Sequence, residues 1–499
     1  MNSSLLSPPS AACLVTSQPR DPRYAVLDIA AAHAHEYVAG LPERHVDARA
    51  GLGELRATIA RPLSEEGIDP LTVIDDLVRD TEAGLIASAG PRYFGFVVGG
   101  ALPVAVAADW LVSAWDQNCA VYAISPALSV AEETAAGWVR DALGLPSTCS
   151  IGFVTGGQMA NFTCLAAARN AVLRDAGWDV EAHGLEGAPS LRVFAGEQVH
   201  MTIKVACRML GLGFERVHVV RADDQGRMIP AELDRALIEH DGPAIVCTQA
   251  GEINTGACDP FAALVDICRA HGAWCHIDGA FGLWAAASPT HRRLLDGYER
   301  ADSWATDAHK WINVPYDCGI AAVADRRAHH AATSPSTVPF IPDHDDETPW
   351  SSDWTPELSR RARGVPLYAA LRSLGRAGLA AMIDRCCNHA QRIATRLAQV
   401  DGVEVVNDVV LNQVLVRFGD DDAATAGVIE RVQRGGTCWP SASTVGGRAV
   451  MRISIVGWQT SADDIDRSAE AILAAARAEA EDPVVRGPSC VQLTACPTR

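Results

Sequence analysis

Between Cys149 and about Asp325 the sequence alternates short apolar, β-branched-rich runs with helical stretches of ten to fifteen residues, and no other feature narrows its fold so far. SIGFV, LRVFAGEQ, RVHVVRA, AIVCTQAG, WCHIDGA, DSWAT and GIAAVAD read as strands. QMANFTCLAAARNAVL, MTIKVACRMLG (ended by Gly211), PAELDRALIEH and PFAALVDICRAHG read as helices between them. Such an alternation predicts an α/β domain whose sheet is parallel or mainly parallel and covered on both faces. In sheets of this kind ligands gather at the carboxyl ends of the strands. That rule singles out Thr155 to Gly157, His200, Asn254, Asp278 and the loop carrying His309 and Lys310.

The flanks are simpler. Residues 1–22 read as a flexible tail, rich in Ser and Pro and without the basic segment of a signal peptide. Residues 23–89 are helical, with Asp69-Pro70 supplying a cap and first turn. Residues 90–370 are expected to form a large domain, 371–480 a smaller α/β domain, and 481–499 a second tail. Residues 357–385 read as a connecting helix. A net charge of −19 opposes nucleic acid and anionic membrane as partners, because phosphate binding needs concentrated Lys and Arg. No apolar run reaches the length of a membrane span. Fifteen cysteines without a regular framework argue for reduced thiols in a cytoplasm. His33, His35 and Glu36 do not make a metal site, since i and i+2 on a helix point apart.

The strand-end residues each admit two readings. Thr155-Gly156-Gly157-Gln158 opens a helix directly after a strand and is either a steric turn or an anion cradle. Gly51-Leu52-Gly53 and Gly211-Leu212-Gly213 are helix punctuation, and no dinucleotide fingerprint is present. Asp278 ends an apolar strand, where it either caps a neighbour or holds a proton on a heteroaromatic nitrogen. His200 is a structural residue near a helix start or a flat ring for stacking. Lys310, between His309 and Trp311, is a solvated charge or a buried reactive amine. A phosphate cradle, a strand-end Asp, a flat His and a buried Lys are together what pyridoxal 5′-phosphate requires.

TGGQMAN, EQVHMTIKVACRMLG, AGEINTGACDP, HIDGAFG and TDAHKWINVPYDCG resemble the group II pyridoxal-phosphate-dependent amino acid decarboxylases, a family that includes aromatic-L-amino-acid, glutamate and cysteine sulfinate decarboxylases. The likeness runs from about residue 50 to about 475 and includes PRYFGF, SRRARGVPLYAALRSLG, NQVLVRF and MRISIVGW. It implies the aspartate-aminotransferase type of fold (fold type I): a large domain with a mainly parallel seven-stranded sheet, a small C-terminal α/β domain and an N-terminal helical segment. It also implies a homodimer with both active sites at the subunit interface. Carried onto this sequence, the resemblance makes Lys310 the Schiff-base lysine and sets Asp278 on the pyridinium nitrogen. Ala280 would lie against one ring face and His200 would stack on the other. Gly157 and Gln158 would hold the phosphate. Asn254 joins the cofactor set as a strand-end residue, and Asp307, where several relatives have Asn, belongs to the phosphate or ring shell. His309 is a candidate proton relay, and Phe96 and Trp115 would line the substrate side.

The implied reaction is decarboxylation of an L-amino acid to its amine. Residues 326–356 read as an irregular active-site loop, the place where family members carry a proton-donating tyrosine; this stretch has none. Phe340 falls near the expected position, and relatives with that exchange resemble aldehyde synthases, which consume oxygen and release aldehyde, ammonia and hydrogen peroxide. His344 or His309 is the alternative donor. The aromatic PRYFGF segment and the want of an evident Arg or Lys for a side-chain carboxylate favour an aromatic or apolar substrate. A nicotinamide oxidoreductase would need the missing glycine fingerprint. A catalytically inactive interaction protein is opposed by the complete Lys, Asp and His set.

Overall fold

Seven apolar runs form one sheet, and the reversal of a single strand in it creates the turn that carries Lys310. The structure, a computed structural model, describes residues 21–335 and 348–482. Phe340, His344 and all but the inner ends of the two expected tails lie outside the described residues. Contacts group the chain into two units, divided between Ala87 and Ser88.

The first unit holds α1 (Ala25–Gly40), α2 (Leu52–Ile59) and α3 (Pro70–Thr81). Asp69 caps α3 by accepting the Thr72 N–H at 3.1 Å, and Pro70 occupies the first turn, where its missing donor costs nothing. His33 on α1 lies 3.0 Å from Asp75 on α3.

In the second unit the order is β1 (Tyr93–Phe94), α4 (Pro103–Trp115), α5 (Pro126–Leu143), β2 (Ser150–Val154), α6 (Gly157–Asp175), α7 (Val180–His183), β3 (Arg192–Gly196), α8 (Met201–Met209), β4 (His218–Val220), α9 (Pro230–Ile238), β5 (Ala244–Gln249), α10 (Phe261–Ala270), β6 (Trp274–Asp278), β7 (Ser303–Asp307) and β8 (Gly319–Val323). Then follow α11 (Arg326–Thr333), α12 (Gly364–Leu397), β9 (Val403–Val405), β10 (Gln413–Phe418), α13 (Asp422–Gly435), β11 (Trp439–Val445), β12 (Arg448–Ser454) and α14 (Ala462–Glu481).

The principal sheet has the order β2-β8-β7-β6-β5-β3-β4. All neighbours are parallel except those of β8, which runs against both β2 and β7. The reason is the link from β7 to β8. Parallel strands need a crossover of a dozen or more residues, usually helical, whereas residues 308–318 turn straight back at the carboxyl edge and pair Asp307 with Gly319. β2, β5, β6, β7 and β8 are buried on both faces, as their continuous apolar runs require. Trp311 and Ile312, both 0% exposed, bury the chain just beyond Lys310.

The smaller sheet has the order β1-β11-β12-β10-β9, so the PRYFGF segment supplies its parallel edge strand from more than 300 residues away in sequence. The expected boundary at residue 370 falls inside α12, which packs on α4, α5, α14 and β10 and ties the two sheets together. Gly375, at φ 60°, kinks α12 in a conformation that glycine adopts without penalty. Residues 326–333, expected as irregular loop, instead form α11. Asp325 caps it by accepting the Ala328 N–H, and its His329 is buried with Nδ1 2.8 Å from Ser150 Oγ. Arg360, in the SRRARG segment, is buried with Glu132 in a two-pronged pair at 2.6 and 3.0 Å, and also donates to the carbonyls of Cys119 and Phe153. Glu132 accepts from the Gly364 N–H as well, so this pair joins α5, β2 and the start of α12.

Candidate active site

The carboxyl ends of β2, β6 and β7 and the start of α8 converge on a pocket of about 320 Å3. Its wall at one end is the start of α6. The Gly157, Gln158 and Met159 N–H groups lie in the first turn, where no intrahelical acceptor exists, and they carry the positive end of a 19-residue helix. Little space is left for a side chain at Gly156 or Gly157. A Cβ on Gly157 would sit 2.8 Å from Asp307 Oδ2, and one on Gly156 would sit 3.1 Å from the His309 ring. On the other side of the turn, a Cβ on Gly319 would be 2.5 Å from the Gly156 backbone.

Lys310 Nζ lies 2.8 Å from Asp307 Oδ2, and its side chain is 22% exposed, the carboxylate 1%. Asp307 Oδ1 is buried without a hydrogen-bond donor and has His309 Nε2 at 3.5 Å. Burial, opposed by Asp307, pushes the His309 imidazole below its ordinary value, so the ring is neutral. Its Nδ1 accepts the Cys318 N–H at 3.1 Å, which leaves the single ring proton on Nε2, toward Asp307. Backbone thus holds Nδ1, and Nε2 is the nitrogen left to face the site.

Asp278 ends β6 with 6% exposure. Its Oδ2 accepts from Asn161 Nδ2 at 3.0 Å and its Oδ1 from the Ala280 N–H at 3.2 Å. His200 precedes α8, with Nδ1 2.8 Å from Thr202 Oγ1, and burial lowers its imidazole below the ordinary value too. Gly157, Gln158, His200, Ala280, Asp307, His309 and Lys310 all line the one pocket.

Three residues named from the sequence lie elsewhere. Asn254 follows β5, but Glu252 takes its N–H at 2.8 Å and turns its amide toward Ser443 and Arg452 of the small sheet. Phe96 is 58% exposed with its ring 5.7 Å from Trp439, and Trp115 is 48% exposed on α4. Neither side chain lines the pocket within one chain. Asn161, Thr202 and Asn313 carry no sequence signal of their own. Asn313, fully buried with φ 55°, accepts from the Gly100 and Trp458 N–H groups and donates to the Val456 carbonyl, tying the loop after Lys310 to the glycine segment and to the small domain. Only the TGGQMAN motif as a whole pointed toward Asn161. Tyr316, also unremarked, lays its ring 4.4 Å from His309.

A sequence model described as the pyridoxal-dependent decarboxylase conserved domain matches residues 53–418. The chain belongs to the pyridoxal-dependent decarboxylase family. Its similar relatives include the aromatic-L-amino-acid decarboxylase of Bacillus atrophaeus, 27% identical over 76% of this chain and 78% of that one. Another is the cysteine sulfinic acid decarboxylase of Mus musculus, 30% identical over 64% of this chain and 66% of the relative. Among solved structures, mouse CSAD superposes with a TM-score of 0.84 at 25% identity, covering 91% of this chain and 99% of that one. Oryza sativa TDC with PLP and tryptamine gives 0.85 at 24% identity, covering 93% and 99%, which establishes a common fold.

This decarboxylase is therefore a fold type I enzyme that uses pyridoxal phosphate to decarboxylate an amino acid, and its residues fit that cofactor. The glycine cradle at the positive end of α6 suits the phosphate. Asp278, dry and supplied with two donors, suits a protonated ring nitrogen, and the Lys310 amine suits the aldehyde. Bound there, the cofactor supplies a ring that accepts the electrons freed when the substrate's carboxylate leaves. What the chain itself supplies is orientation: a flat neutral His200, an acceptor at Asp278, and a pocket floor of β-strand ends.

Proposed function

We propose that this enzyme decarboxylates an L-amino acid with an aromatic or apolar side chain and releases the amine. The observation that carries this reading is the pocket's charge. Among the described residues that line it, Lys310 is the one cation, and it is committed to Asp307 and the cofactor. A substrate carboxylate or sulfinate in the side chain would find no second positive partner there. Lys310, Asp278, His200, Ala280, Gly157 and Gln158 serve in the roles the resemblance implies. A screen of carbon dioxide release over the twenty amino acids and cysteine sulfinate tests the assignment; preferred turnover of an acidic substrate would overturn it.

The second reading is oxidative: amino acid, oxygen and water giving aldehyde, carbon dioxide, ammonia and hydrogen peroxide. It rests on Phe340 and on the tyrosine-free stretch after residue 316. Against it stands the Tyr316 phenol beside His309, a protic group at the same edge of the site. Peroxide and amine measured in the same aerobic turnover separate the two. Amine without peroxide removes the oxidative reading.

The working unit we propose is a homodimer, acting in the cytoplasm. Trp110, Leu111 and Trp115 of α4, with Tyr122, Ile124 and Val130, leave large apolar side chains in solvent, and Phe96 and Tyr316 are also exposed. Exposed large apolar patches mark association surfaces, and a second copy of this chain would cover them beside the pocket. Sedimentation at enzyme concentrations used for assay tests it; a monomer would refute it.

A further inference from the structure

Behind the pocket a line of buried polar groups runs through the sheet. Trp274 Nε1 donates to Ser303 Oγ at 2.9 Å, and Ser303 Oγ lies 2.9 Å from His276 Nδ1. His276 Nε2 lies 2.9 Å from Asn161 Oδ1, and Asn161 Nδ2 reaches both Asp278 Oδ2 at 3.0 Å and Thr202 Oγ1 at 3.1 Å. Thr202 Oγ1 lies 2.8 Å from His200 Nδ1. Asn161, His276 and Ser303 are 0% exposed, so no water can stand in for a missing partner.

The direction of every bond in this line follows from chemistry. An indole N–H can only donate, and the carboxylate oxygen of Asp278 only accepts, so the NH2 of Asn161 must face Asp278 and its oxygen must face His276. That oxygen needs a donor, which puts the His276 proton on Nε2. Complete burial pushes His276 down to about 3, so it carries no second proton, and Nδ1 takes the Ser303 hydroxyl hydrogen. At the other end a backbone donor marks His200 Nδ1 as bare, so the Thr202 hydroxyl, which accepts from Asn161, gives its own hydrogen to that nitrogen. The Thr202 N–H points at the same nitrogen from 3.4 Å. Two donors on Nδ1 leave the His200 proton on Nε2.

We propose that Asn161 is a positioning residue for both cofactor-facing groups: its amide, oriented by the Trp274, Ser303 and His276 line behind it, donates to Asp278 and through Thr202 sets the tautomer of His200. Asp278 and His200 thereby share one support. This rests on the cofactor reading of the pocket only for its functional meaning; the bonds themselves can be tested without cofactor.

The experiment uses the full-length, cofactor-free protein with 15N-labelled histidine and long-range 1H–15N correlation at neutral pH. In the wild type, His200 and His276 are both expected with a bare Nδ1 and a protonated Nε2. Thr202→Val, isosteric, removes the hydroxyl donor and should turn His200 into a mixture of tautomers while His276 stays as it was; Thr202→Ser should restore the single form. Asn161→Ala should change both imidazoles, though they lie on different elements. The same variant should release bound pyridoxal phosphate about ten- to a hundredfold more readily, the loss for a hydrogen bond to a charged group, with Thr202→Ser close to wild type. A wild-type His200 protonated on Nδ1, or a His200 unmoved in Thr202→Val, would overturn the proposal, and the second holds even if the fully buried Asn161→Ala fails to fold. Failure of the wild type to bind cofactor would instead count against the pocket's assignment, leaving the tautomers to judge the support.

Discussion

The α-carbon of Gly99 faces the backbone carbonyl of Lys310 so closely that a Cβ there would lie 1.9 Å from the oxygen. The glycine-rich end of the PRYFGF segment is thus a seat for the lysine loop. Gly99→Ala must push that loop away, because the obstacle is backbone and not the tip of a side chain. The expected outcome is a loss of about 1–3 kcal/mol in stability from overpacking, and a fall in turnover of about 10²-fold from misplacing the amine. Urea unfolding and steady-state kinetics on the same preparation check both.

Among the described residues that line the pocket, Lys310 carries the only amine, and Lys310→Ala removes it. Turnover should drop by roughly a thousandfold or more. Borohydride should then fix no cofactor to the protein, whereas it should do so in the wild type. Mass spectrometry of the reduced proteins reads the difference directly.

Tyr316→Phe keeps the ring against His309 and removes the phenol. Desolvation of its inner edge, and then the Asp307 charge, hold this phenol above its ordinary value, so it keeps its proton through the neutral range. If it donates that proton at the site, amine formation should fall by about 10²-fold, with peroxide rising as a share of product. Unchanged amine output would remove Tyr316 from the reaction.

The buried histidines govern acid stability. His329, fully buried, is pushed from 6.5 to about 3 by its surroundings. Its folded value lies below its unfolded one, so between those values the unfolded chain binds more protons. Stability is therefore full above pH 6.5 and declines as the pH falls toward 3. His329→Gln should flatten the acid limb of a thermal-unfolding series by close to one proton. An unchanged slope would mean that this ring is already charged in the native protein.

Glu132→Ala would strand the fully buried Arg360 guanidinium, and removal of one partner from such a pair costs about 3–5 kcal/mol. A shift of that size in the urea midpoint at constant slope is the expected result.

Most strands of the principal sheet were legible because they are buried on both faces and so read as unbroken apolar runs, while the edge strand β4 is buried only at Val220. The small sheet was half hidden. β1 has two residues, β9 is a short edge, and β11 carries a proline and alternating polar side chains. At the site, residues whose chemistry is local could be named: the glycine turn, the strand-end Asp278, the lysine itself. A strand-end position does not tell which way a side chain turns, and Glu252 turns Asn254 to the other domain. Phe96 and Trp115 face outward in the single chain, a direction that an aromatic residue's place in the sequence does not record. Gly99, Asn161, Asn313 and Thr202 matter through partners that are distant in the sequence, and no periodicity records such partners.

The reversed strand has a mechanical consequence. Lys310 hangs from a span whose two abutments, β7 and β8, are adjacent rows of the same ladder near one edge of the sheet. Asn313 ties the same span to the glycine segment and to the chain after β12, so the amine is held from both sides of the turn. Amide hydrogens of residues 303–307 and 319–323 should exchange with solvent only when the whole unit unfolds. The reactive nitrogen thus sits on a turn anchored at both ends by paired strands, and substrates must come to it.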